Sequence, residues 1–163
     1  MTDSSDHFDT EFKPHSKHKH LIFKTYLDAW LRKLSLGERG HDKLYVVDAF
    51  AGAGFDAAGN PGSPLLAARA ADEAIRQLHS QFGRTVDVRL IAIEKDPDRC
   101  LQLREALAEF TNARVHEGTL EQHRLTLEAE MADSPALYFV DPFGVALNGQ
   151  LILNMLAKPQ HEV

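Results

Sequence analysis

Three carboxylates stand at equivalent places in this sequence. Asp48 closes Leu44-Tyr45-Val46-Val47, Glu94 closes Leu90-Ile91-Ala92-Ile93, and Asp141 closes Ala136-Leu137-Tyr138-Phe139-Val140. Each is an acid set directly after an unalternating apolar run. Such a run suits a strand buried on both faces of a parallel sheet. Its acid then lies at the carboxyl end of the strand, the edge where open α/β sheets bind ligands. Three such acids on three elements describe an acceptor-rich edge, suited to ligand groups such as ribose hydroxyls.

The first acid leads into Ala49-Phe50-Ala51-Gly52-Ala53-Gly54, a small-residue turn. Gly52 and Gly54 let the backbone turn tightly and leave no Cβ between its amides and a ligand. A nucleotide-like cofactor lying across Asp48, Phe50, Ala51, Gly52, Ala53 and Gly54 is the expectation, with Glu94 accepting from its ribose. Gly52 to Ala57 fits the loose G-x-G-x-x-A pattern of a nicotinamide site, but two spacings disagree. In that motif the helix begins inside the glycine turn, whereas the start signal here waits until Ser63-Pro64. The ribose acid belongs ~20 residues after the glycines, and Glu94 lies about twice as far. Adenosylmethionine suits the longer spacing better. No Gly-Lys-Ser or Gly-Lys-Thr follows the turn, so a P-loop is excluded.

The elements that position these residues are legible around them. Phe23, Leu27, Trp30, Leu31 and Leu34 recur at helical spacing, with Ser16 as the expected N-cap and Gly37 and Gly40 as the stop. Ser63 as N-cap and Pro64 at the first helical position open a second helix, which Gly83 ends. Asp96-Pro97 caps a third, whose Cys100, Leu103, Leu107 and Phe110 point inward, so Cys100 reads as core rather than as a reactive thiol. Arg114 to Gly118 is a short strand. Thr119 and Gln122 form a capping box for a helix ending near Met131. Leu151 to Leu156 starts a last helix, stopped by Pro159. Alternating strands and helices with short links predict an α/β fold, Rossmann-like, with a parallel sheet.

The 163 residues suffice for one domain with a real core, placed at 13–163 behind a polar tail at 1–12 expected to be disordered. No apolar run approaches the ~18 residues of a membrane span, and the acidic start is not a signal peptide. A cytoplasmic protein without membrane contact is the simplest reading. The net charge of −6 conceals a basic stretch: Lys13 to Lys43 holds eight Lys or Arg and three Asp or Glu. This stretch reads either as a solvated helix face or as a surface that steers phosphate. Lys17, His18 and Lys19 are its candidate substrate-binding residues. His15, His18 and His20 lack a metal-ligand spacing, so no metal site is expected.

In this order, Lys19-His20 through Trp30, Asp48 to Gly54, Gly62-Ser63-Pro64, Ile93-Glu94-Lys95 and Val140 to Gly144 resemble the three-Cys-motif partner proteins. The resemblance covers most of the chain from residue 13 to 150. It implies the class I methyltransferase fold, adenosylmethionine as cofactor, and a three-Cys-motif protein as partner. Asp141-Pro142-Phe143-Gly144 is similar to the D-P-P-Y loop of amino-directed nucleic-acid methyltransferases, with Phe143 at the second proline and Gly144 at the aromatic position. The similarity implies a catalytic loop of Asp141, Pro142 and Phe143, in which Asp141 orients an acceptor amine at the methyl group and Phe143 stacks on a base. A nucleic-acid acceptor follows from it; a structural Asp-Pro turn is the other reading. The alternative to an enzyme is a Rossmann-like binding module without chemistry, with a nicotinamide-dependent reductase more distant.

The methyltransferase fold has seven strands, and four are legible here, in the expected order 3-2-1-4. The fourth strand is therefore expected to pair on one side only, leaving an apolar edge open to self-association. On that reading the chain is the N-terminal portion of a longer protein.

Overall fold

A computed structural model describes residues 14–142, 149–158 and 160–163, with side chains from Lys19 onward. The expected tail at 1–12 lies outside the described residues. The apolar runs form a parallel sheet of β1 (Lys43–Asp48), β2 (Asp87–Glu94), β3 (Ala113–Glu117), β4 (Ala136–Phe139) and β5 (His161–Glu162). Their order is β3-β2-β1-β4-β5. All pairs are parallel, with Val46 opposite Leu90 on one side and Leu137 on the other. The helices are α1 (Pro14–Leu36), α2 (Ser63–Phe82), α3 (Pro97–Ala106), α4 (Leu120–Met131) and α5 (Gly149–Met155).

The period of two along each strand sorts the core into two layers. Leu44, Val46, Val88, Leu90 and Leu137 pack under α1, α2 and α3. Tyr45, Val47, Ile91, Ile93 and Tyr138 pack under α4 and α5. The unalternating strands thus bury both faces, and the fold is Rossmann-like α/β.

Helix α1 lies over the sheet through Phe23, Leu27, Trp30 and Leu31, all buried. Each contributes roughly 1.5–3 kcal/mol before conformational entropy is counted. The Phe23 and Phe139 rings stand 4.2 Å apart, which ties the first half of α1 to the end of β4. Ser16 is inside this helix rather than at its cap, because the helix begins at Pro14.

Local signals hold at most other helix ends. The Asp96 side chain accepts the Arg99 amide, and Thr119 with Gln122 forms the complete capping box. Gly83 closes α2 in the left-handed region at φ 64°. At the other end of α2 the expected cap is corrected: Gly62 is the N-cap, with no side-chain bond, and Ser63 is helical. Phe82, the last residue of α2, is exposed.

The edge of β4 is also corrected. It does not pair on one side only, because Ala136 and Leu137 pair with His161 and Glu162 of β5. A two-residue strand carries no periodicity to read. It is positioned instead by the α5 crossover, by His161 Nδ1 against the Met155 carbonyl at 3.0 Å, and by the Tyr26 hydroxyl donating to Glu162. The basis for self-association through a bare β4 edge is therefore removed.

Candidate functional site

Strand order reverses between β1 and β4. The chain runs outward through β2 and β3, then crosses back to β4 and β5. A cleft of about 190 Å³ opens at the carboxyl ends of the two central strands. Its walls are Phe50 to Ala57 after β1, Gly62 and Ser63 at the start of α2, Arg99 and Gln102 on α3, His20 on α1, and Phe139 with Asp141 at the end of β4. The strand-end argument places a ligand site at this switch point.

The turn at the cleft floor is held from three sides. The Ala49 amide donates to the Phe139 carbonyl and the Ala51 amide to the Ile93 carbonyl, both at 3.0 Å, so the turn is laced to both neighbouring strands. The Gly52 amide donates to Glu94 Oε2 at 2.9 Å, and Glu94 Oε1 accepts the Asp96 amide at 2.9 Å. One carboxylate therefore binds the β1 turn to the start of α3. Gly52 and Gly54 sit at φ 65° and 91°, where glycine is favoured. A Cβ on Gly54 would also come within 2.9 Å of the Ala106 Cβ on α3.

The rim of the cleft is a closed loop. Phe55 bridges Pro61, and Asp56 Oδ1 accepts the amides of Ala58 at 3.0 Å and Asn60 at 2.7 Å. Asp56 Oδ2 accepts the Asn60 side-chain amide at 2.8 Å. This Asx-type bonding fixes the seven residues that lead into Gly62.

The three strand-end acids occupy different environments. Asp48 is 0% exposed. Its Oδ1 accepts the Phe50 amide at 3.2 Å, while Oδ2 is buried without a partner of good hydrogen-bond geometry. Burial pushes its carboxyl up to about 7; the Ser63 side chain and the Phe50 amide oppose that rise, and the Asp141 and Glu94 charges add to it. Glu94 is 5% exposed. Asp141 reaches the cleft with its side chain 22% exposed, and Lys19 Nζ donates to both its oxygens, at 2.8 and 3.1 Å.

The expected site residues divide accordingly. Phe50, Ala51, Gly52, Ala53, Gly54 and Asp141 line the cleft. Asp48 and Glu94 do not line it; they support its floor. Lys19 meets Asp141, a juxtaposition of two candidates read separately in the sequence. Pro142 follows Asp141 and is partly buried. Lys17 and His18 belong to α1, but their side chains lie outside the described residues, and Phe143 lies outside them altogether. The described residues contain no cluster suited to a metal ion.

Sequence reasoning missed His20, Arg99 and Gln102 as cleft residues. His20 carried a signal, as the neighbour of Lys19 in the basic run. Burial lowers its pKa, with the Asp141 charge acting in the opposite direction. Arg99 and Gln102 sit one helical turn apart, beside the inward Cys100 and Leu103, and only the packing of α3 shows which way they face. Burial raises the Cys100 pKa, and its Sγ donates to the Glu94 carbonyl at 3.0 Å, which confirms a core role.

A second cavity of about 240 Å³ lies on the other face, among α4, α5 and the β4–β5 pair. None of the three strand-end acids lines it, so the chemistry points to the switch-point cleft. No helix among the described residues is long and apolar enough to cross a membrane. No family model matches this chain, and no curated protein matches it.

Proposed function

We propose that the protein is an adenosylmethionine-dependent methyltransferase of the class I type, acting on an amine. The observation that carries this reading is the cleft at the β1/β4 switch point, which brings the glycine turn and Asp141 into one wall. The amides of Ala49, Phe50, Ala51 and Gly52 are spent on fixing the turn, so its backbone at Ala53 and Gly54 is the part that would meet a ligand, with no side chain on Gly52 or Gly54 in the way. The N-terminus of α2 opens on the cleft at Gly62 and Ser63, and a helix start favours a carboxylate such as that of the methionine moiety. α2 begins at Ser63, nine residues beyond Gly54, so the turn is not the opening of a dinucleotide-type helix. The cleft is smaller than the ~300 Å³ at the low end of ligand pockets. A cofactor of this size would fill the cleft, where Arg99 and Gln102 would hold it from α3, and would extend beyond it.

Within this reading the chain's residues divide the work. Ala53 and Gly54 would hold the cofactor through the backbone, since the Gly52 amide is taken by Glu94. Glu94 holds that backbone in place. Asp141 orients the acceptor amine so that its lone pair faces the methyl group. The cofactor supplies an electrophilic methyl on sulfonium.

Calorimetric titration with adenosylmethionine, adenosylhomocysteine and NAD tests the cofactor. Heat with the first two and none with NAD is expected; NAD binding alone would sink the assignment. Tritiated methyl transfer onto RNA, DNA and protein fractions tests the chemistry. Asp141→Ala should abolish transfer while leaving cofactor affinity nearly unchanged.

A second reading is favoured by one observation, the engagement of both Asp141 oxygens by Lys19. It is a binding module that keeps the cofactor fold and serves as partner of a three-Cys-motif protein. Cofactor heat without transfer to any fraction, even after Lys19→Gln, would select it.

A further inference from the structure

We infer that Asp141 forms a subsite for an alkylammonium group and that Lys19 fills this subsite from within the same chain. The inference deepens the reading of Asp141 as the amine-orienting acid. It rests on that reading for the guest's role, though not for the cofactor.

The geometry is that of a guest in a site. A single ammonium donates to both carboxylate oxygens, at 2.8 and 3.1 Å, across a separation of 122 residues. The carboxylate belongs to the cleft wall, and His20, next to Lys19, belongs to the same wall. Packing of Phe23 on Phe139 sets where the start of α1 can present its side chains. The position of Lys19 over Asp141 is thus built into the fold.

The chemistry selects the guest. A carboxylate that holds three-donor ammonium in this way suits the end of a lysine side chain or a polyamine. The exocyclic amine of a nucleobase is neutral and would exchange a charged partner for an uncharged one. The acceptor class is therefore an alkyl amine rather than a base: it binds as the ammonium, releases one proton to water, and only then has the lone pair that methyl transfer needs.

The energetics make Lys19 a displaceable occupant. Its side chain is 56% exposed, and an exposed ion pair adds little to stability. Tethering nevertheless gives it an effective concentration in roughly the millimolar range, enough to exclude a weak free amine. An acceptor that also gains contacts elsewhere in the cleft would displace it. Lys19 then acts as a selectivity plug, closing the acceptor subsite to small amines.

The test is an NMR titration with n-butylammonium chloride at neutral pH. Wild type and Lys19→Arg, which keeps a charged occupant, should bind weakly. Lys19→Gln and Lys19→Met should bind about tenfold tighter or more, with shifts at residues of the cleft wall. Adding Asp141→Asn to Lys19→Gln should remove the gain. The inference is overturned if neither neutral variant binds tighter than wild type, or if the gain survives Asp141→Asn. Adenosylmethionine titrated into the same Lys19→Gln protein separates the two proposals. Butylammonium binding without cofactor heat overturns the methyltransferase reading and leaves the subsite. Cofactor heat without the butylammonium gain overturns the subsite alone.

Discussion

The β1–β2 half of the carboxyl edge and its β4 end begin from the same pattern, an apolar strand closed by an acid, and reach opposite outcomes. At β1 and β2 the acids turn inward. Asp48 is fully buried, and both Glu94 oxygens accept backbone amides. At β4 the acid faces the cleft and takes a lysine from a distant helix. An acid after a strand is therefore not one device. Where backbone amides of neighbouring turns take the oxygens, the acid becomes part of the scaffold. Where a long side chain from another helix takes them, the acid remains available to a guest.

The largest expected effect lies on the scaffold side. Glu94→Ala leaves the Gly52 and Asp96 amides without their charged acceptor. Two charge-assisted hydrogen bonds in a buried setting correspond to roughly 3–5 kcal/mol. Urea unfolding should show that loss, with Glu94→Gln intermediate; a loss below ~1 kcal/mol would mean the turn does not depend on Glu94.

Asp48 sharpens the comparison through pH. Its carboxyl value rises from 3.8 in the unfolded chain to about 7 in the fold. Below 3.8 both states hold the proton, and the native state bears no penalty. Between these values only the native state holds it, so stability falls as pH rises. Above about 7 the loss is complete. Asp48→Asn, which imitates the protonated acid, should therefore be the more stable protein at pH 8 by on the order of 2–4 kcal/mol. Thermal unfolding of both proteins from pH 4 to 8 reads this directly. Parallel stability curves would show that Asp48 is ionised and satisfied throughout.

A smaller effect probes how closely the turn abuts α3. Gly54→Ala places a Cβ 2.9 Å from Ala106 at φ 91°, and both strain terms together cost about 1–3 kcal/mol. Gly59, also at positive φ but with open space around it, is the control: its alanine variant meets only the backbone strain. Equal losses at the two positions would show that packing on α3 is not limiting.

The smallest effect belongs to the β4 side. Lys19→Gln should change unfolding free energy by less than ~1 kcal/mol, because Lys19 is exposed and Asp141 faces the open cleft. A loss several times larger would make the pair structural and erase the contrast between the two regions.

Much of the fold was legible because its causes are local. The apolar runs at Leu44 to Val47 and Leu90 to Ile93, the capping box at Thr119 and Gln122, and the Gly83 stop each act within a few residues, and each is found in the fold. The α/β class followed from their alternation, while the expected order β3-β2-β1-β4 came from the resemblance to the methyltransferase fold. β5 did not, since two residues have no period and their position comes from α5, His161 and Tyr26.

The site was legible only in its parts. The glycine turn and the three acids could be named from residue type and place, because a strand end is a local property. Which acid would be buried depended on what folds across it, and that is not local. Asp48 lies under the turn, Glu94 is drawn to Gly52 forty-two residues away, and Asp141 meets Lys19 only because α1 packs over β4. Charge and hydrogen-bond partners are set by neighbours in space, and tertiary packing alone chose those neighbours.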